Sequence, residues 1–267
     1  MSSSLCDTLW LSEKRKNLLL LLMEGPRDID RIKTSLNVTS KAMMPQIKIL
    51  KKQELIIQQT DGMYKLSEIG RLIVENMLPL INTMDIIEEN REYWTGRDLS
   101  VIPLALFKRL GEIGHCMFIE PDLNHLFDLP REFSENLKKA RHILTIISYY
   151  HPLYPALYAE LAKSGVKMSM LLTESVFERM NNDCKPEFRA IMDAENVEVE
   201  VCEENCRLPT VAVTDRFMHL CLFDKQGKYD HRTLMSFDSS ALPWAEELFN
   251  HYRAETRKVN MAESYTE

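Results

Sequence analysis

Glycine is scarce in this sequence, which has 8 glycines among 267 residues. So low a content argues against turn-dense β architectures and low-complexity chains, and it makes a glycine-rich phosphate loop improbable. The sequence contains no nucleophile elbow and no His-Glu-x-x-His pattern either. We therefore predict no catalytic residues, no metal site and no cofactor, and a protein that is not an enzyme.

Long hydrophobic runs are missing as well. The longest, residues 18–23, is far shorter than the roughly 20 residues that a membrane-spanning helix needs. The first residues, Met-Ser-Ser-Ser-Leu-Cys, lack the basic segment and apolar stretch of a signal peptide. We expect a cytoplasmic protein that has no membrane partner.

The six cysteines are irregularly spaced, so we expect mostly reduced thiols and no disulfide framework. Cys202 and Cys206 form the sequence Cys-Glu-Glu-Asn-Cys, which is not a usual zinc or redox motif. Neighbouring acidic residues also disfavour a thiolate. A redox role for this pair stays an open alternative.

Positive charge is concentrated near the N-terminus. Residues 1–67 carry 11 Lys and Arg against 7 Asp and Glu, whereas residues 68–267 carry 22 against 33. A basic first segment on an acidic body is typical of a protein in which only the first domain contacts phosphate groups.

Hydrophobic periodicity predicts three helices near the N-terminus, over residues 13–23, 28–36 and about 39–53. Pro45 falls within the third, so that helix either starts late, near Ala42, or bends. Strands over 55–59 and 63–66, joined by a two-residue Asp61-Gly62 turn, complete a β-hairpin. Three helices and a hairpin form a winged helix-turn-helix, which we assign to residues 1–68.

A winged helix-turn-helix places its third helix in the DNA major groove. Gln reads adenine edges and Lys reads guanine, whereas Thr and Ser more naturally contact phosphate. Protein binding by the same fold is the alternative. The residues predicted to bind double-stranded DNA are Thr39, Ser40, Lys41, Met44, Gln46 and Lys48 on the helix and Gln58, Gln59 and Lys65 in the hairpin.

Apolar periodicity continues over residues 69–87, and Pro79 predicts a kink or a break there. We assign residues 69–98 to a long connecting helix that pairs two subunits, and residues 99–267 to an α/β effector domain. The β-α-β rhythm through residues 143–172 predicts a mostly parallel sheet covered by helices. The expected class is α/β in this domain and mixed α+β overall.

The two strands predicted within residues 143–172 are each followed by polar residues. Open α/β sheets bind ligands beyond the carboxyl ends of their strands, so an effector pocket is one interpretation. The alternative is a packed loop whose tyrosine hydroxyls cap helix ends. The predicted effector-binding residues are Tyr149, Tyr150, His151, Tyr154, Thr173 and Glu174.

The segment from Val38 to Gly70 resembles ArsR-like winged-helix regulators, through Thr39-Ser40-Lys41, Ile47-Lys48-Ile49-Leu50-Lys51, Leu55-Ile56 and Gly62-Met63-Tyr64-Lys65-Leu66-Ser67. Nearly the whole chain is similar to the archaeal methanogenesis regulatory proteins and the related methyltransferase-specific regulators. The matching segments are Tyr93-Trp94, Arg97-Asp98-Leu99, Ile102-Pro103, Ile147-Ser148-Tyr149-Tyr150-His151-Pro152, Thr214-Asp215-Arg216-Phe217, Ser236-Phe237-Asp238 and Trp244-Ala245-Glu246-Glu247-Leu248-Phe249.

This resemblance implies a transcription regulator of methane-metabolism genes that acts as a homodimer. The C-terminal part also resembles, more weakly, phospholipase-D-like half-domains, whose chemistry needs a His-x-Lys pair. Here the nearest match is His219-Leu220-Cys221, so the lysine is missing and His219 is expected within or beside a strand. The alternatives are a protein-interaction module, or an enzyme that docks through its winged helix and acts at the Tyr149–Tyr154 rim.

Overall fold

The chain divides into two units, Met1–Ile81 and Asn82–Glu267. The structure, a computed structural model, describes residues 4–120, 128–202 and 207–259. One long helix crosses the division between the units. The functional boundaries proposed at residues 68 and 98 therefore stay predictions.

The first unit contains the helices and the hairpin that the sequence predicts. Ser12, Asp28 and Thr39 each cap a helix, because each side chain accepts a hydrogen bond from a backbone N–H group. Asn37 ends the helix that Asp28 caps, with a left-handed φ of 49°. A short first helix, capped by Ser4, was not predicted. The elements are α1 (Leu5–Trp10), α2 (Glu13–Met23), α3 (Ile29–Leu36), α4 (Ser40–Lys52), β1 (Ile56–Gln58) and β2 (Tyr64–Leu66).

Pro45 lies inside α4, because the helix begins at Ser40 and not near Ala42. Pro45 has no N–H to donate to the carbonyl of Lys41, one turn earlier. Burial of Met43, Ile47 and Leu50 on one face of α4 holds the helix together across this missing bond.

The hairpin turn is longer than predicted. The N–H of Gln59 donates to the carbonyl of Met63 at 2.8 Å, and the N–H of Gly62 donates to the carbonyl of Gln59 at 3.0 Å. Gly62 has a φ of +87°. These bonds enclose a three-residue loop, a turn followed by a left-handed glycine, in place of a two-residue turn.

The long helix α5 (Glu68–Glu89) is continuous, so of the kink or break predicted at Pro79 the break does not occur. At its start, Gly70 packs so closely on the hairpin that an added Cβ would lie 1.9 Å from the carbonyl oxygen of Leu55. Asn90 then caps a separate helix, α6 (Arg91–Gly96), by accepting from the N–H of Tyr93 at 3.0 Å.

The second unit places helices on both faces of one sheet. Between residues 99 and 113 a short helix lies between two 3-10 turns, since Pro103 interrupts the backbone pattern. Its helices are α7 (Leu104–Phe107), α8 (Arg131–Leu137), α9 (Tyr154–Lys163), α10 (Glu174–Asp183), α11 (Lys185–Met192) and α12 (Ala241–Arg253). Its strands are β3 (Cys116–Ile119), β4 (His142–Ile147), β5 (Lys167–Thr173), β6 (Val197–Cys202), β7 (Thr210–Thr214), β8 (Met218–Cys221), β9 (Thr233–Ser236) and β10 (Thr256–Lys258).

The eight strands of this sheet follow the order β10-β6-β5-β4-β7-β8-β9-β3. The mixed α+β class is confirmed, but parallel pairing is confined to β4 with β5 and β5 with β6. The other described pairs are antiparallel. The β-α-β unit predicted over residues 143–172 is present and is extended by β6. Loops and not helices join β7, β8 and β9, which makes the sheet mixed.

The end of the second unit contains a helix and an edge strand. The last helix, α12, stops at Arg253, and β10 then pairs with β6 at the edge of the sheet. Cys202, at the end of β6, is disulfide-bonded, which corrects the expectation of a reduced thiol there. Cys6, Cys116, Cys184 and Cys221 are free, and Cys206 lies outside the described residues.

Each unit has its own hydrophobic core. The core of the first contains Leu18, Leu19, Ile32 and Leu50, and the sheet of the second is buried on both faces. α5 contributes Ile81 to the core of the first unit and Ile86 to a core of the second. None of the described helices combines the length and apolar character that a bilayer crossing requires.

Candidate functional site

The outer face of α4 carries basic residues. Lys41, Met44 and Lys48 are exposed, at the i, i+3 and i+7 spacing that places them on one side of the helix. The helix contains four lysines and no acidic residue. This face therefore presents positive charge and an apolar side chain to a partner.

Gln46 is less available than its neighbours. It is half-buried, and its Oε1 accepts a hydrogen bond from Nη1 of Arg15 at 3.0 Å. Arg15 also donates to the carbonyls of Asp7 and Thr8. Gln46 thus connects α4 to α2 and to the end of α1, an intramolecular role that its sequence position did not reveal.

The N-terminus of α4 supplies the other predicted contacts of that helix. The hydroxyl of Thr39 accepts from the N–H of Ala42 at 3.3 Å, and Thr39 remains exposed. Ser40, half-buried, is the first residue of the helix. Because the free N–H groups and dipole of a helix start favour anions, this end is suited to a phosphate.

The hairpin is attached to the end of α4. Nζ of Lys51 donates to Oε1 of Gln58 at 3.1 Å, and Nε2 of Gln58 reaches the carbonyl of Gly62 at 3.4 Å. Gln58 is exposed, whereas Gln59 and Lys65 are half-buried. The predicted hairpin residues thus lie beside the basic end of α4.

A cavity of about 610 Å³ lies beside the loop that follows β4. Tyr149, His151 and Tyr154 line it together with Tyr229. The hydroxyl of Tyr149 lies 3.0 Å from that of Tyr154 and 2.9 Å from that of Tyr229. The tyrosine hydroxyls therefore pair with one another at this rim.

Burial determines the protonation of the tyrosine and histidine side chains that line this cavity. Burial raises the pKa of Tyr149 and of Tyr154, so both hydroxyls keep their protons at neutral pH. Burial and the neighbouring His231 lower the pKa of His151. Nδ1 of His151 accepts from the N–H of Leu153 at 3.2 Å, which fixes the imidazole against its own loop.

The floor of the same cavity contains His219, on β8, and Thr233, on β9. Both side chains are buried. Burial lowers the pKa of His219 to about 3, so its imidazole is neutral. His219 lies within a strand, as the sequence predicted.

The six predicted effector-binding residues do not share one cavity. Thr173 and Glu174 line a second cavity of about 780 Å³, with Ser148, Arg207 and Lys225. The hydroxyl of Tyr150 lies 3.2 Å from Sγ of Cys184, and the guanidinium of Arg179 lies 4.5 Å from its ring centre. Only Tyr149, His151 and Tyr154 come together.

The lining residues that were missed as ligand contacts include His219, Tyr229, His231 and Thr233. They lie 65 or more positions beyond Tyr154 in the sequence, and the strand order β4-β7-β8-β9 brings them near it. The only sequence signal was a histidine within the otherwise apolar run of residues 217–223.

Several residues of the matching segments have structural roles. Arg97 forms a bidentate ion pair with Asp230, in which Nη1 donates to Oδ1 at 2.8 Å and Nη2 donates to Oδ2 at 2.7 Å. Nε1 of Trp94 donates to the carbonyl of Ile86, and Nε1 of Trp244 donates to the carbonyl of Leu106, each at 3.0 Å. These segments stabilise the second unit.

Two solved structures show a weak similarity. TrmBL2, an archaeal chromatin protein described as having a novel mode of DNA binding, aligns with a TM-score of 0.43 and 15% identity over 93% of this chain and 94% of its own. A phosphatidylserine synthase from Haemophilus influenzae Rd KW20 aligns with a TM-score of 0.42 and 12% identity over 57% and 41%. Both scores are too low to indicate a shared function.

Sequence comparison gives a clearer result. The methanogenesis regulatory protein FilR1 of Methanothrix harundinacea (strain 6Ac) is 22% identical over 254 residues, which are 93% of this chain and 56% of that protein. The chain thus spans about half the length of this relative. Two domains of the same family, the N-terminal and the middle domain of FilR1, match residues 6–85 and 126–255. The chain belongs to the family of the methanogenesis regulatory protein FilR1.

Proposed function

We propose that this protein is a cytoplasmic transcriptional regulator that binds double-stranded DNA through α4 and the hairpin and controls genes of methane metabolism. The observation that carries the proposal is the exposed face of Lys41, Met44 and Lys48 on a helix without acidic residues. Lysine side chains on a helix that enters the DNA major groove bind phosphates and guanine edges. The FilR1 relative is named a regulatory protein, which supports the same function.

The contact with Arg15 changes the residues that we assign to base reading. Because Gln46 is already hydrogen-bonded within the first unit, Lys41 and Lys48 are the better candidates for contacts with bases. Thr39 and Ser40, at the start of α4, then hold a phosphate.

Titration of the upstream DNA of its own gene, followed by fluorescence anisotropy at several salt concentrations, tests this proposal. We expect Lys41→Ala and Lys48→Ala each to weaken binding and to lower the salt slope by about 1, the value for one lost phosphate contact. Lys108→Ala removes the same charge from an exposed position in the second unit and serves as the control. Absence of binding at low salt, or equal binding by all three variants, would favour a protein-docking winged helix.

Dimerisation through α5 is the second part of the proposal. Ile69, Leu72 and Leu80 are exposed on one side of this helix, and Asn76 lies between them. An apolar stripe with one central asparagine is the pattern that fixes register in paired helices. A second copy of the chain covers this stripe and sets the spacing of the two α4 helices.

Sedimentation equilibrium tests the dimer. Leu72 is 62% exposed and Leu104, on α7, is 68% exposed, so neither side chain supports a core. We expect Leu72→Asp to convert the dimer to a monomer and Leu104→Asp to leave it intact. A wild-type chain that stays monomeric at micromolar concentration would contradict this part.

The third part is an effector response. An effector in the cavity beside Tyr149, His151 and Tyr154 changes the affinity for DNA, because a ligand shifts a conformational equilibrium towards the state that it binds more tightly. α5 is the element that links the two units, since it contributes to a core of each.

A further inference from the structure

Two residues that line the 610 Å³ cavity each carry a buried polar atom that lacks a hydrogen-bond partner among the described residues. The two atoms are Nδ1 of His219 and Oγ1 of Thr233, and their residues are 3% and 2% exposed. Buried polar groups in folded proteins are almost always hydrogen-bonded, so each exception needs an explanation. Two such exceptions in one cavity point to a missing partner.

The strand register places the two side chains on one face of the sheet. His219 pairs with Met235, two residues from Thr233 on β9, and Thr233 pairs with Ile119 of β3. Residues that pair directly, and residues two apart in a strand, point to the same face. His219 and Thr233 are therefore diagonal neighbours, and one small molecule can contact both.

The buried surroundings of His219 and Thr233 disfavour a charged ligand. The imidazole of His219 is neutral because burial lowers its pKa, so a ligand charge at the same depth would meet the same loss of hydration. The lining also includes the carboxylates of Glu120 and Glu132, whereas its arginine, Arg131, is paired with Glu135. These carboxylates disfavour an anion in the cavity as well.

Aromatic rings form the walls. The ring of Phe133 lies 4.6 Å, centre to centre, from the imidazole of His219, and the rings of Tyr149 and Tyr229 are stacked at 4.0 Å. Flat apolar surfaces around a few convergent polar atoms are typical of sites for small ring compounds.

We propose that this cavity binds an uncharged ring compound that carries a hydrogen-bond donor beside an acceptor, as a carboxamide does. Its polar edge pairs with Nδ1 of His219 and Oγ1 of Thr233, and its ring packs against Phe133 and the tyrosines. This inference rests on the effector response proposed above and specifies the ligand class for the site.

Three probes with the same ring separate the possible charges: benzamide is neutral, benzoate is an anion and benzylamine is a cation. Each is titrated into the full chain without DNA, with binding followed by calorimetry and ligand-observed NMR. We expect benzamide to bind at millimolar concentration and the two charged probes to bind about tenfold more weakly or not at all.

Two conservative variants assign the binding to the floor. Thr233→Val and His219→Phe keep the shape of the buried side chains and remove the polar atoms, so each should weaken benzamide by about tenfold, the effect of one lost hydrogen bond. Thr95→Val makes the same change at an exposed position outside the cavity and should leave the affinity unchanged.

Unchanged benzamide affinity in both floor variants, tighter binding of either charged probe, or no binding of any probe at millimolar concentration would overturn the inference. DNA binding by the same preparations is measured separately by anisotropy. A chain that binds DNA but not benzamide contradicts only the ligand class, whereas a chain that binds benzamide but not DNA contradicts the proposed regulator.

Discussion

At the scale of single residues, His219 makes stability depend on pH. The unfolded chain binds a proton near pH 6.5, whereas the folded chain binds it only near pH 3. Between these values the unfolded state holds more protons, so the contribution of His219 to stability is complete above pH 6.5 and falls as the pH is lowered. At pH 5 the loss is about 2 kcal/mol, because one pKa unit corresponds to about 1.4 kcal/mol.

Denaturant unfolding at pH 7 and pH 5 measures this effect. We expect His219→Phe to lose less stability between these pH values than the wild type, by about 2 kcal/mol. His251 is exposed, so His251→Phe should keep the wild-type difference. An equal loss in the wild type and in His219→Phe would show that the imidazole is protonated in the folded chain.

Gln46 gives a second prediction at this scale. Its contact with Arg15 joins α4 to α2, so Gln46→Ala should lower the free energy of unfolding by about 1 kcal/mol, the worth of a half-buried hydrogen bond. Gln59→Ala removes an amide in the hairpin loop and should change it by less than about 0.5 kcal/mol. Equal stability of Gln46→Ala and the wild type would exclude this role.

The sequence identified Lys41 and Lys48 correctly as exposed, because helical spacing alone determines which side chains lie opposite Met43, Ile47 and Leu50. It did not distinguish Gln46 from these residues, because the partner of Gln46 lies 31 positions earlier. Long-range contacts of this kind have no local pattern. The same reason hid His219 and Thr233 from the predicted cavity.

At the scale of elements, Pro45 weakens α4. Pro45→Ala restores an N–H that can bond to the carbonyl of Lys41, and we expect it to raise the free energy of unfolding by up to about 3 kcal/mol. Pro186 occupies the first turn of α11, where no such bond is lost. Thermal unfolding of both alanine variants should show a gain for Pro45→Ala alone. A destabilised Pro45→Ala would mean that the proline shapes α4.

Helix ends were the most predictable elements. Ser12, Asp28 and Thr39 are typical N-cap residue types that directly precede the helices they cap, and capping depends on residues only a few positions apart. The edge strand β10 was missed since its Thr-Arg-Lys sequence has no apolar alternation, and it is held by backbone pairing with β6. The antiparallel half of the sheet was missed because strand direction depends on pairing partners distant in sequence.

At the scale of the whole molecule, separate cores predict separate unfolding. Leu19 is buried in the core of the first unit and Leu248 in a core of the second. Each Leu→Ala change should cost about 2–5 kcal/mol in its own unit. We expect scanning calorimetry to show two transitions, with Leu19→Ala lowering one and Leu248→Ala the other. A single transition that both variants lower equally would show that α5 couples the units into one.

Although the units divide after Ile81, the difference in charge between residues 1–67 and the remainder was visible in the sequence. The split of the predicted effector residues between two cavities was not. Tyr149 follows β4 and Thr173 is the last residue of β5, yet the walls of each cavity come largely from other loops. The rule that locates ligands beyond strand ends identified the edge of the sheet, but it does not give the shape of the cavity.

The contact between Gly70 and Leu55 has a mechanical consequence. Because no side chain fits between the start of α5 and the hairpin, and Ser67 also donates from its N–H to the carbonyl of Leu55 at 3.0 Å, the hairpin cannot swivel independently of this helix. The orientation of the hairpin therefore follows the orientation of α5. In a dimer joined along α5, the distance between the two hairpin tips would then be constant unless that helix rotates.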